Sequence, residues 1–151
     1  MPKRCCAAEP RAIRARWRAA PLLALLAATA AAAADADCAV RLPDSPPAAQ
    51  QTMGADGAML AFAPNRWPLP VGQTLSLQIA ICPPMTLLAV DADMPAHRHG
   101  MNYRPSLRAL GDGRYAADGL LLHMPGRWRF IFDLERDDGR RLRLTRELDV
   151  P

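Results

Sequence analysis

Gly126-Arg127-Trp128-Arg129-Phe130-Ile131-Phe132-Asp133-Leu134 is the stretch that decides the fold class. Trp128, Phe130, Phe132 and Leu134 fall on one side of an extended chain, opposite Arg129, Ile131 and Asp133. Side chains of a strand alternate between two faces, so this period of two predicts a strand with one face in a core and the other in water. Working backwards, Leu75, Leu77, Ile79 and Ile81 alternate with Ser76, Gln78 and Ala80 in the same way. Shorter strand-like runs cover Met59 to Ala63, Leu87 to Asp93, Ser106 to Leu110 and Arg114 to Leu121. Working forwards, Leu142 and Leu144 alternate with Arg141, Arg143 and Thr145 in the run from Arg140 to Val150. Gly111-Asp112-Gly113 and Asp137-Asp138-Gly139 supply turns, and Asp-Gly between two strand-like runs is a strong hairpin signal. A further short strand is expected near Cys38 to Leu42, followed by an irregular, proline-rich connection to Gly57. The expectation is an all-β, immunoglobulin-like sandwich of about seven strands, with a small barrel as the alternative.

The amino-terminal stretch reads differently. Lys3, Arg4, Arg11, Arg14, Arg16 and Arg18 precede an apolar, alanine-rich run from Ala19 to Ala34. This is the layout of a secretory signal peptide, with a small-residue cleavage site at Ala34 and Ala36. We therefore expect a leader over residues 1–36, containing the signal-peptide helix, and a single domain over 37–151 that works in the periplasm. The alternative is an uncleaved leader that anchors the domain to the inner membrane. Removing the leader takes six of the 19 Lys and Arg residues and two of the 15 Asp and Glu residues, leaving 13 of each. The exported part is formally neutral, so the basic balance of the whole chain gives no argument for nucleic acid.

Cys5 and Cys6 belong to the leader, so the domain keeps Cys38 and Cys82. A lone pair in an oxidising compartment is expected to form a disulfide. Cys82 has the parity of the polar residues on its strand. A bridge therefore requires either a bulge or a position at the end of the sheet, and the sequence leaves both open.

All three histidines fall in Met94-Pro95-Ala96-His97-Arg98-His99-Gly100-Met101 and His123-Met124-Pro125-Gly126, together with three methionines. Imidazole and thioether donors suit copper, Cu(I) above all, whereas calcium or magnesium want oxygen ligands. In a sandwich of this type the strand at Leu87 and the strand at Gly126 are antiparallel neighbours, so both segments are expected at one end of the domain. His97 and His99 are expected to share one side of an extended loop, with Arg98 on the other. The candidate ligands are His97, His99, His123, Met94, Met101 and Met124, with Asp91, Asp93, Tyr103 and Arg104 as residues able to support them. An alternative gives the same residues a structural role, with the imidazoles hydrogen-bonded to loop carbonyls and to Asp91 or Asp93, and methionines as filler. Trp128 reads as core, Trp67 as an edge cover or partner contact, and the arginines at 127, 129, 136, 140, 141 and 143 as a solvated face.

The blocks MPAHRHGMNYRP, from Met94 to Pro105, and GDGRYAADGLLLHMPGRW, from Gly111 to Trp128, resemble the YtkA-like domains, relatives of FixH-like proteins. The resemblance covers most of the exported part, including the paired cysteines. It implies an exported or membrane-anchored immunoglobulin-like domain associated with copper handling or respiratory oxidase assembly, and it carries over His97, His99, Met101, His123 and Met124 as motif positions. No G-x-S-x-G elbow, H-E-x-x-H pair, phosphate-binding glycine loop or free cysteine nucleophile is present, so an enzyme is not expected. The expectations are a copper-binding or copper-delivery domain, or a metal-free module that docks on a cell-envelope or respiratory partner. A monomer is expected.

Overall fold

A computed structural model describes Leu42 and residues 45–151. The expected leader, Cys38 and most of the first expected strand lie outside the described residues, and Leu42 itself is not in a strand. Among the described residues there are nine strands and one short 3-10 turn at Pro47–Ala49: β1 Gln51–Ala55, β2 Ala58–Pro64, β3 Thr74–Cys82, β4 Thr86–Met94, β5 His99–Gly100, β6 Ser106–Gly111, β7 Arg114–Leu121, β8 Gly126–Glu135 and β9 Arg141–Val150. They form two antiparallel sheets, ordered β1-β2-β3-β7-β6 and β5-β4-β8-β9. Without β1 and the two-residue β5, this is the four-on-three strand order of an immunoglobulin constant-type sandwich.

The alternating runs meet as the sequence predicts. Leu60, Phe62, Leu75, Leu77, Ile79 and Ile81 of one sheet face Val90, Ala92, Trp128, Phe130, Phe132 and Leu134 of the other, all buried. Phe62 lies across the gap from Phe130 and Phe132, with ring centres 5.5 and 4.9 Å apart, so one aromatic side chain clamps two strands of the opposing sheet. The Tyr115 hydroxyl donates a 2.8 Å hydrogen bond to the Met85 carbonyl, tying β7 to the crossover between the sheets.

β1 was not expected, because the prolines at 43, 46 and 47 read as the start of a long irregular connection. The missed signal is Asp56-Gly57, whose φ angles of 51° and 74° give the left-handed pair that a two-residue hairpin turn needs. Asp112-Gly113 makes the same turn at the hairpin that was expected. The β1 hairpin reaches the other sheet through Arg136 on the Asp56 carbonyl and through Arg146 on the Gln51 side chain.

The parity of Cys82 now has its explanation. Cys82 is the last residue of β3 and belongs to the outer face of its sheet, with the register irregularity of β3 far away at Leu75/Ser76. Part of that outer face is covered: Leu42 packs there against Ala61, Ala63 and Ala80, all buried, while Thr74 and Gln78 of the same face are exposed. The Gln50 side-chain amide holds the covering segment by donating to the carbonyls of Leu42 and Ser45.

The outer face of β4-β8-β9 is a ladder of opposite charges in cross-strand register. Arg129 grips Asp93 with bonds of 2.9 and 2.5 Å, Arg143 grips Asp133 with 2.6 and 2.9 Å, and Arg127 and Arg141 reach Asp149 and Glu135. Opposed charges on paired strands support the register, and the exposed arginines are held by partners instead of forming an anion-seeking patch. Hydrogen bonding from Arg143 holds the Asp133 carboxyl below its ordinary range, and bonding to Asp93 raises the Arg129 guanidinium above its own.

Candidate functional site

The two chemistry-bearing segments emerge at one pole because β4 and β8 pair antiparallel, with Asp93 opposite Arg129, so the end of β4 lies beside the start of β8. The first segment is not the extended loop expected. The Met94 carbonyl accepts 3.0 Å bonds from the backbone N–H groups of both His97 and Arg98, which folds the chain into a tight turn, and Arg98 takes a left-handed φ of 56°. The chain then returns as β5, with His99 opposite Met94, and Met101 N–H donates to the Ala92 carbonyl at 3.0 Å. Backbone groups leaving a strand need partners, and the turn supplies them more completely than an extended loop would.

The second segment is set by Leu122, fully buried, whose carbonyl accepts from Gly72 N–H at 2.8 Å. With Leu122 fixed in the core, His123 is exposed beside it, and Met124 turns partly inward. Gly126 then starts β8 with φ 124°, and a Cβ placed there would come within 2.9 Å of the Met94 methyl. Only a glycine lets the two segments approach this closely.

The three imidazoles come together. His99 is the middle member, its ring centre 5.7 Å from that of His97 and 5.0 Å from that of His123. Beneath them lies Trp128, fully buried, its ring centre 5.3 Å from His123 and 6.2 Å from His99 in edge-to-face arrangement. The indole N–H donates to the Met124 carbonyl at 3.0 Å. Sequence reasoning read Trp128 as core and missed that it also packs against His99 and His123. Its place at the entry of β8, two residues after the conformationally special Gly126, was the available signal.

The methionines separate. Met94, 1 % exposed, is a core residue whose methyl meets Gly126, whereas Met101 and Met124 are partly buried at the rim of the core. The two aspartates do not serve the histidines. Asp93 projects to the opposite face and is taken by Arg129, and the Asp91 carboxylate accepts from Ala92 N–H at 2.7 Å. Asp91 and Asp93 share the outward parity of β4 while Ala92 and Met94 point inward, and that parity is the physical reason. Tyr103 and Arg104 are exposed on the same loop, with Tyr103 half exposed.

Among the described residues no hydrogen bond joins an imidazole to either aspartate, and the buried His99 Nδ1 has no partner at all. Leaving a buried polar atom unpaired costs about 1–3 kcal/mol, so such an atom calls for a polar partner, an ordered water or an ion. Among the same residues no group of three or more His, Cys, Asp or Glu side chains stands in metal-holding geometry. The imidazoles form a row centred on His99 instead of converging as three nitrogens on one point, and Met101 and Met124 are the partly buried thioethers of the same two segments.

The chain matches no protein-family model, no curated protein and no solved structure.

Proposed function

We propose that this is an exported copper-binding domain that holds Cu(I) between His99 and His123 with a thioether from Met101 or Met124, and that it serves copper delivery or storage in the periplasm. The observation that carries this reading is the buried, unpartnered His99 Nδ1 at the centre of an imidazole cluster built from two distant segments. An imidazole nitrogen lies ~2.0–2.1 Å from a bound first-row ion, which puts its ring centre roughly 3 Å away, so two rings on one ion stand roughly 5 Å apart. The His99–His123 spacing of 5.0 Å is of that size. Low coordination by neutral nitrogen and sulfur donors suits Cu(I). The resemblance to YtkA-like domains points the same way, and a bridge between Cys38 and Cys82, the two cysteines after the expected leader, would fit an oxidising compartment.

Saturable one-site binding in an anaerobic Cu(I) titration is the expected result. His99→Ala weakens it at least about tenfold, the order expected when one of a few soft ligands is lost, and His97→Ala weakens it less, because His97 stands outside the His99–His123 pair. Unaltered binding in His99→Ala removes the proposal.

A second reading is a docking module for a cell-envelope or respiratory protein. It draws on Tyr103 and Trp67, 50 % and 39 % exposed, in loops that open at the same pole. Co-purification of a partner that persists in chelator and is lost in Tyr103→Ala is the result it requires.

A further inference from the structure

We infer that the pole carrying the imidazoles docks on an anionic phospholipid bilayer through Arg66, Arg98 and Arg104 together with Trp67 and Tyr103. This role goes beyond copper binding and is independent of it. Three connections build the pole: residues 65–73 between β2 and β3, 95–105 from β4 through β5 to β6, and 122–125 between β7 and β8. β3 starts at Thr74, opposite Leu121 at the end of β7, and Gly72 N–H donates to the Leu122 carbonyl, so the first and third connections are adjacent. The second lies beside the third because the end of β4 adjoins the start of β8.

The side chains of these connections include three arginines and no aspartate or glutamate. All three arginines are exposed, and among the described residues none of them is in an ion pair; Arg66 bonds the neutral side chain of Gln73. Of the acids near the pole, Asp93 and Asp149 are taken by Arg129 and Arg127, and Asp118 lies back on β7, opposite Ser106. The turns at the other pole, with Arg114 beside them, carry Asp56, Asp112, Asp137 and Asp138 against Arg136, Arg140 and Arg114 itself. The chain after the expected leader is formally neutral, so its charge is divided between its ends, and an anionic surface turns the imidazole pole towards itself.

Each flank of the pole sets an exposed aromatic ring next to an arginine in the chain, Arg66-Trp67 on one side and Tyr103-Arg104 on the other. Indole and phenol rings settle at the headgroup level of a bilayer, where ring and polar tip are both satisfied, and guanidinium matches phosphate. The loops that present them are fixed in advance. Leu69 and Pro105 are buried, Asn65 exchanges two hydrogen bonds with the Ser76 backbone, and Met101 N–H donates to the Ala92 carbonyl. Little conformational freedom is therefore lost on docking. Spread favours a bilayer over an acidic protein patch. β2 and β6 are three strand spacings apart, roughly 14 Å at ~4.8 Å each, and a bilayer offers phosphate at every point of that width.

The test uses the protein as exported, carrying Trp17→Phe so that a retained leader contributes no indole. Trp128 is fully buried, which leaves Trp67 to report on lipid. Vesicles of equal parts phosphatidylglycerol and phosphatidylcholine are compared with vesicles of phosphatidylcholine alone, each doped with lipid brominated near the headgroup. The expected result is a blue shift and quenching of Trp67 emission with the anionic vesicles only, weakening as salt is added. Arg66→Gln, Arg98→Gln and Arg104→Gln each lower the partitioning read from that quenching about fivefold, and the triple variant about a hundredfold. Arg114→Gln, at the other pole, leaves it unchanged. Equal quenching of Trp67 by both vesicle types, or none by either, overturns the inference. Salt-sensitive binding to polyglutamate without Trp67 quenching by anionic vesicles also overturns it and assigns the pole to an acidic protein. Cu(I) titration of the same proteins keeps the two readings apart: lipid quenching without Cu(I) binding removes the copper reading alone, and Cu(I) binding without lipid quenching removes the bilayer alone.

Discussion

Gly126→Ala tests how the two loop segments are held together. Two costs arise. The backbone at 126 has φ 124°, a region that L-residues rarely occupy, and forcing a side chain into it costs about 1–3 kcal/mol. The new methyl also comes within 2.9 Å of the Met94 Cε, at least about 0.5 Å inside ordinary van der Waals contact. The end of a methionine can swing, but Met94 is 1 % exposed and surrounded by core, so its movement disturbs neighbours. Together these give a destabilisation of about 2 kcal/mol, a fall in Tm of roughly 10 °C for a domain of this size. The assay is urea and thermal unfolding under non-reducing conditions, run as a double-mutant cycle with Met94→Ala. Met94→Ala alone opens a cavity and costs about 2–5 kcal/mol. The double variant removes the clash and partly fills the cavity, so it is more stable than the sum of the singles by about 0.5–1 kcal/mol. Stability of Gly126→Ala within about 0.5 kcal/mol of wild type would refute the backbone argument, and strict additivity would refute the contact with Met94.

Two further outcomes are expected. Because hydrogen bonding from Arg143 depresses the folded-state pKa of Asp133, this pair adds stability above the ordinary carboxylate range and loses it as pH falls through the lowered folded value. An NMR titration should place the Asp133 midpoint below that of Arg143→Gln, and that variant, less stable at neutral pH, should lose less stability between neutral and acid pH than wild type; coincident midpoints count against the bond. Cys38→Ser/Cys82→Ser should lower stability by about 2–4 kcal/mol relative to the oxidised protein, with reduction of the wild type giving a similar loss, whereas a wild type indifferent to reductant rules the bridge out.

Much of the fold was legible because the strands of a two-layer sandwich must alternate. Trp128, Phe130, Phe132 and Leu134 could not all be buried unless the chain there was extended, and the same holds for Leu75, Leu77, Ile79 and Ile81. β1 escaped because its five residues bury little and follow prolines, so its one clear mark was the Asp56-Gly57 turn. The position of Cys82 stayed open between a bulge and the sheet end for a related reason, and the sheet end is where it lies. Outward parity normally means water, and a covering segment near Leu42 is a long-range contact that no local pattern announces.

The sequence by itself determined the alternating strands, the turns, and a concentration of imidazole and thioether in two short stretches, since these depend on residue type and near neighbours along the chain. Tertiary structure alone decided that His99 stands between His97 and His123 with Trp128 below, that Met94 belongs to the core, and that Asp93 is held by Arg129 on the other face. Those facts follow from strand pairing between residues more than thirty positions apart and from which side of a pleat each faces, and both are fixed only when the sheets close on one another.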